Sequence, residues 1–171
     1  MNDNPLTLTY TALWTMIEAY PNLDDLVRIG NRIRFDSETD RSPQKNRVQA
    51  ADLPELTLIT NGGTPNLCET SSSSKFIRRY SWWISTGDNR LNEKLYQVEW
   101  AVLVAMTNWK QVLTALQWKG KSFVKRTAVT DISEGMSNPQ LNRNIKGWSS
   151  LWTCEVEMHF KTSDLLDELT P

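Results

Sequence analysis

The chain has 171 residues, with 19 Lys and Arg against 20 Asp and Glu and a net charge of -1, a balance that excludes any global attraction to nucleic acid or an anionic membrane. The two cysteines, Cys68 and Cys154, are too few for a disulfide framework and lack metal-ligand spacing, which fits a reducing compartment. The opening Met1-Asn2-Asp3-Asn4-Pro5 carries no basic stretch or apolar run of a signal peptide, and the longest apolar run, residues 100–106, is too short to span a bilayer. A single soluble domain, large enough to bury a core without staples, is the expectation.

Residues 8–19 place Tyr10, Leu13, Trp14, Ile17 and Tyr20 at helical spacing, and Pro21 ends that helix by disfavouring helical geometry in the residue before it. One further turn is expected over residues 22–27, then a short strand at Arg32-Ile33-Arg34-Phe35, where apolar and basic side chains alternate. Residues 36–51 contain almost no apolar side chain, and the resulting polar loop, about 36–53, belongs to a class that is usually functional or disordered. Leu56, Leu58 and Ile59 read as a buried strand ending at Asn61-Gly62-Gly63, followed by a loose loop through residues 71–74. Residues 75–86 alternate Phe76, Tyr80, Trp82 and Ile84 against Ile77, Arg79, Ser81 and Trp83, with Arg78 out of place on the first face.

The organising stretch is residues 89–119. Leu91, Leu95, Val98, Val102, Ala105, Met106, Trp109, Val112, Leu113 and Leu116 recur three and four apart, which draws one helical stripe toward a core. Trp100, Leu103 and Val104 lie off that stripe, so the first half is apolar on a second side and expects a second cover. A single straight helix from Asp88 or Asn89 to Gly120 would rival the diameter of the domain; a break near Thr107, with Asn108 capping a second segment, is expected. Residues 121–133 read as a strand alternating Val124, Ala128 and Ile132 against Phe123, Thr127 and Val129, and residues 134–146 as a second polar loop. In residues 148–162 Trp152, Cys154, Val156, Met158 and Phe160 face inward while Glu155, Glu157, His159 and Lys161 face water, the pattern of an antiparallel sheet with one wet face. Residues 163–169 form a short helix capped by Ser163. The element order predicts an α+β fold: a small antiparallel sheet with a central pair of helices packed on one face.

Catalytic signatures are weak. Gly120-Lys121-Ser122 ends like a phosphate-binding loop, but Ala115 stands where that motif needs glycine and the order of strand and helix is reversed. Glu155, Glu157 and His159 share one strand face, yet successive positions are about 7 Å apart, too wide for one ion without other segments. His159 is the only histidine, and no serine has an elbow-like glycine context. No catalytic, metal or cofactor residue is assigned.

Of the eight tryptophans, Trp14, Trp82, Trp109 and Trp152 fall on inner faces. Trp83, Trp100, Trp118 and Trp148 do not, and such aromatics serve either protein interfaces or, alternatively, a glycan or other stacking ligand. Between Glu99 and Asp131 there is no acid, while Lys110, Lys119, Lys121, Lys125 and Arg126 supply bases. They make a soluble strand edge or a rim for phosphates or an acidic partner, the acidic C-terminal segment among them.

Together, the helix over residues 8–19, the turn Val27-Arg28-Ile29-Gly30-Asn31-Arg32-Ile33, the strand over 75–86 leading into a long helix and the polar loop before the closing strand at 147–160 resemble the tail-terminator and neck proteins of long-tailed bacteriophages and their prophage relatives. The resemblance implies a non-enzymatic virion subunit without cofactors, assembled in the bacterial cytoplasm. It further implies a ring homo-oligomer, a hexamer by family likeness, that caps the tail tube, meets the head connector and lies near DNA without contacting membrane. The interface expected on this reading comprises Trp83, Trp100, Leu103 and Val104, with Lys119, Lys121, Lys125 and Arg126 as a basic rim.

Overall fold

A computed structural model describes residues 4–34, 53–70, 72–87, 93–134 and 147–169. The polar stretches expected at about 36–53 and 134–146 fall almost entirely outside the described residues.

Helix α1, Pro5–Glu18, begins earlier than the apolar periodicity indicates. Asn4 is its N-cap, its side chain accepting the Thr7 amide at 3.0 Å, and Pro5 occupies the first turn, where a missing N–H costs nothing. Its buried face carries Tyr10, Leu13, Trp14 and Ile17. After a single turn, α2 at Leu23–Leu26, and a 3-10 turn at Ile29–Asn31, the chain enters β1, Arg32–Arg34.

Four long strands follow the antiparallel expectation: β2 Glu55–Thr70, β3 Ser73–Gly87, β6 Val124–Glu134 and β7 Gly147–Lys161. Their order is β1-β2-β3-β7-β6, with every neighbouring pair antiparallel except β1 with β2, which run parallel. The fold is α+β, as the order of elements predicts, with that one parallel strand added at an edge. The strand expected to stop at Asn61-Gly62-Gly63 instead passes through an irregularity between Thr60 and Gly63 and continues. The glycines permit this: Gly62 has φ 77°, and a Cβ on Gly63 would lie 2.4 Å from the Ile77 carbonyl oxygen, so only glycine lets the two backbones approach there. Of the loose loop expected over 71–74, residues 73 and 74 belong to β3, which begins at Ser73, and residue 71 lies outside the described residues.

The central stretch breaks where its length demands. Helix α3, Glu93–Ala105, tightens into a 3-10 turn at Met106–Asn108 and resumes as α4, Trp109–Thr114. The Thr107 hydroxyl donates back to the Leu103 carbonyl at 3.2 Å, a contact that competes with the helical ladder and bends it. Asn108 makes no side-chain cap bond, so capping is not the device that divides the two segments. The helix also ends six residues before Gly120. Residues β4 Gln117–Trp118 and β5 Lys121–Ser122 form a hairpin, because Lys119 and Gly120 both take positive φ, 49° and 71°, as a type I′ turn requires. The Ser122 hydroxyl then donates to the Thr114 carbonyl at 2.8 Å, satisfying an orphan group of the helix end.

Helices α1, α3 and α4 cover one sheet face. Trp14 stacks on Trp82 with centroids 5.5 Å apart, and the Tyr10 hydroxyl donates to the Leu58 carbonyl at 3.0 Å. Leu95, Val98, Val102, Met106 and Leu113 are buried, as their spacing predicts, and Trp109 and Leu116 pack at the margin. Inward positions of β7, Cys154, Val156 and Met158, close the core. Burial pushes the Cys154 thiol up to about 12 and raises the Tyr80 phenol well above its ordinary value, because neither charged form can be solvated. The chain ends in α5, Thr162–Leu166, and a 3-10 turn at Asp167–Leu169. Its N-cap position is Lys161, with no side-chain cap bond, which displaces Ser163 from the expected role. Among the described residues, no helix is long and apolar enough to cross a membrane.

Candidate interaction surface

Helix α3 buries one stripe and leaves another in solvent. Trp100 is 60% exposed, and Tyr96, Leu103 and Val104 are exposed beside it. Residues 96, 100 and 104 repeat every four positions and residue 103 sits between them, so all four share one flank of the helix. This is the second apolar side that the sequence shows, and no described element covers it.

The patch continues onto β6, an edge strand of the sheet. Register shifts between Val124 and Arg126 and between Val129 and Asp131 break its simple alternation. Val129 therefore lies opposite Cys154 and Ile132 opposite Trp152, both toward the helices, and not on opposite faces as strict alternation would have them. Both are exposed. Between α3 and this strand lies a groove of about 170 Å³ lined by Leu103, Thr107, Trp109, Val129 and Trp152. Val129 and Ile132 were legible only as strand positions; two bulges decide where they point.

Trp83 is placed elsewhere. It lies on the opposite sheet face, in register with Thr57 and Leu151, and is half-buried. It shares no surface with Trp100, Leu103 and Val104. Trp118 is also half-buried, edge-on to Phe160 with centroids 5.7 Å apart. The Trp148 side chain lies outside the described residues.

The basic residues divide as well. Lys119 reaches Glu168 at 2.8 Å and donates to the Asp164 carbonyl at 2.9 Å, its ammonium also 4.7 Å from the Trp118 ring centroid. Lys121 contacts both carboxylate oxygens of Asp164, at 2.7 and 2.9 Å. The acidic C-terminal segment is thus their partner within the same chain. Lys121 and Lys125 line a cleft of about 440 Å³ with His159, Lys161 and Asp164. Arg126, in register with Glu157, belongs to the outer sheet face. His159 and Lys161 join the basic cluster because β7 passes beside the hairpin, a juxtaposition that residue spacing does not encode.

On that outer face Arg79 pairs with Glu155 at 2.7 Å and Lys75 with Glu157 at 3.3 Å, while His159 is hydrogen-bonded to Glu157 at 2.7 Å. The hydrogen bond from His159, aided by Lys75, holds the Glu157 carboxyl below the usual carboxylate range. Among the described residues no cluster of three or more His, Cys, Asp or Glu could hold a metal. Compared with known proteins, the chain matches no family model and no curated protein.

Proposed function

We propose that the chain is a non-enzymatic assembly subunit of a phage-type virion, a ring-forming component of the tail-to-head junction, either the tail terminator or a neighbouring neck protein. The observation that carries this reading is the uncovered apolar flank of Tyr96, Trp100, Leu103 and Val104, continuous with Val129 and Ile132 on an open sheet edge. A contiguous apolar patch rich in aromatic residues marks a protein interface. The α+β fold suits the resemblance drawn from the element order. In the ring, subunits of this one chain are the first partner, with tail tube and head connector proteins above and below.

The test is the state of the purified chain, by light scattering during size exclusion and by negative-stain images. Closed rings are expected, lost on Trp100→Asp or Leu103→Asp with unchanged circular dichroism. A strict monomer at the highest soluble concentration, whose tryptophan fluorescence is quenched by added oligosaccharide, would transfer the exposed aromatics to the glycan-binding alternative.

A further inference from the structure

The cleft beside the hairpin has a chemistry of its own. Strand β7 runs on past the start of β6: Val124 stands opposite Met158, and residues 159–161 keep their register with Lys75, Ser74 and Ser73 of β3. The hairpin closes the other side, where the His159 amide donates to the Phe123 carbonyl at 2.8 Å. The C-terminal arm, residues 162–169, leaves β7 after Lys161 and brings Asp164 into the lining.

Two bases of this cleft lack a counter-charge. Asp164 is the one acid that lines it, and Lys121 takes both its carboxylate oxygens, at 2.7 and 2.9 Å. Lys125 and Lys161 also line it, both exposed, and no acid among the described residues pairs with either. Lys125 is the extra residue of the bulge between Val124 and Arg126, where two residues of β6 oppose a single step of β7, an insertion that re-aims a side chain. Lys161 lies three residues along β7 from Met158, where that bulge begins, or about 10 Å. Flexible four-carbon stems can close that gap on one shared group. Two like charges held this near each other are unfavourable until an anion comes between them.

The remaining wall is apolar. Trp118 and Phe160, both half-buried, meet edge-on there. The volume of about 440 Å³ exceeds the need of a bare phosphate and falls among small-molecule sites of about 300–1,000 Å³.

We infer that the cleft binds a phosphate ester, its phosphoryl oxygens held by Lys125 and Lys161 and its organic part lying against Trp118 and Phe160. Lysine serves phosphate as a point charge, which suits two ammonium groups that approach from different strands. A free nucleotide and a nucleic-acid strand both present this chemistry. None of Tyr96, Trp100, Leu103 and Val104 lines the cleft, so the site stands apart from the ring contact and holds for a single subunit or an assembled one.

The experiment titrates the full chain at low ionic strength with AMP, with inorganic phosphate and with a short oligothymidylate strand, by calorimetry and by amide shifts. AMP should bind more tightly than inorganic phosphate and shift residues 121–125 and 159–161. Lys125→Ala and Lys161→Ala should each weaken it about fivefold, the upper end for a partly exposed ion pair, while Lys125→Arg retains binding. Lys161 makes no side-chain cap bond to α5, so circular dichroism should not change. Lys110→Ala, exposed on α4 and outside the cleft, is the control and should bind as the native chain does. An oligothymidylate that binds more tightly than AMP, with the same dependence on the two lysines and a loss at high salt, identifies a strand as the source; one that binds no more tightly identifies the free nucleotide. No binding of any probe overturns the site. So does AMP binding that survives the double lysine variant, that Lys110→Ala weakens equally, or that is no tighter than that of inorganic phosphate.

Discussion

Lys121 Nζ lies 2.7 Å from one carboxylate oxygen of Asp164 and 2.9 Å from the other, so the base that begins the β5 strand fastens the C-terminal arm. Lys121 is half-exposed and Asp164 mostly covered, and a pair of that kind contributes on the order of 1 kcal/mol or less to global stability. Its consequence is positional: it holds the arm as one wall of the basic cleft.

Changing Lys121, Lys125 and Arg126 to Glu should therefore leave circular dichroism intact and weaken assembly, as high salt should in the native chain. A charge swap separates two causes. If Lys121 acts by holding the arm, Lys121→Asp combined with Asp164→Lys should restore assembly. If it acts as part of a rim that meets an external acid, the swap should remain defective. Normal assembly of the triple Glu variant at low and high salt would remove both roles and leave only the protection of a strand edge.

The stability of the fold should fall at both ends of the pH scale, for different residues. Glu157 is held below its ordinary value of 4.5 first by His159 and then by Lys75. A depressed carboxyl contributes stability that is present above that value and is lost as pH falls through the folded value. Cys154, raised from 9.0 to about 12, behaves in the opposite sense. The unfolded thiol ionises first, so stability is intact below about pH 9 and declines as pH rises toward 12, with Tyr80 acting in the same direction at higher pH. Urea titrations across pH should show Glu157→Gln flattening the acid limb and Cys154→Ala flattening the alkaline one. Unchanged limbs would contradict these assignments.

Trp14 and Trp82 are each 1% exposed and stacked, and the Trp14 indole donates to Glu18 at 2.6 Å. Trp14→Ala should lower the unfolding free energy by about 3–5 kcal/mol, from lost transfer energy plus the cavity left between helix and sheet. Chemical denaturation measures this directly. A loss near that of an exposed site, within about 0.5 kcal/mol, would show that α1 does not depend on the stack.

Gly63→Ala tests the close approach of β2 and β3. The added methyl would meet the Ile77 carbonyl oxygen, backbone that cannot swing aside. A cost of about 1–3 kcal/mol is expected, as for overpacking of a filled site. Gly30→Ala, where nothing lies within 4 Å of the new carbon, is the matched control and should stay near neutral in the same melts.

Much of this architecture is written in local periodicity. Leu95, Val98, Val102, Met106 and Leu113 of the stripe are buried as its three-and-four spacing requires, although Val112 on the same stripe is exposed. The alternation of Cys154, Val156 and Met158 sets the inner face of β7, and the second apolar side of Trp100, Leu103 and Val104 is present and covered by no described element. These are properties of a single element, where the side-chain period and the burial of one face determine each other. What periodicity could not decide depends on partners distant in sequence. The helix ends at Thr114 because Ser122 meets its last carbonyl across a hairpin with two positive φ angles. Val129 and Ile132 face the helices because bulges shift β6 against β7, Trp83 goes to the opposite face from Trp100, and Lys119 and Lys121 are claimed by an arm more than forty residues away. Register, edge position and ion pairing are relations between segments, and the free energy that selects them exists only once the segments are packed together.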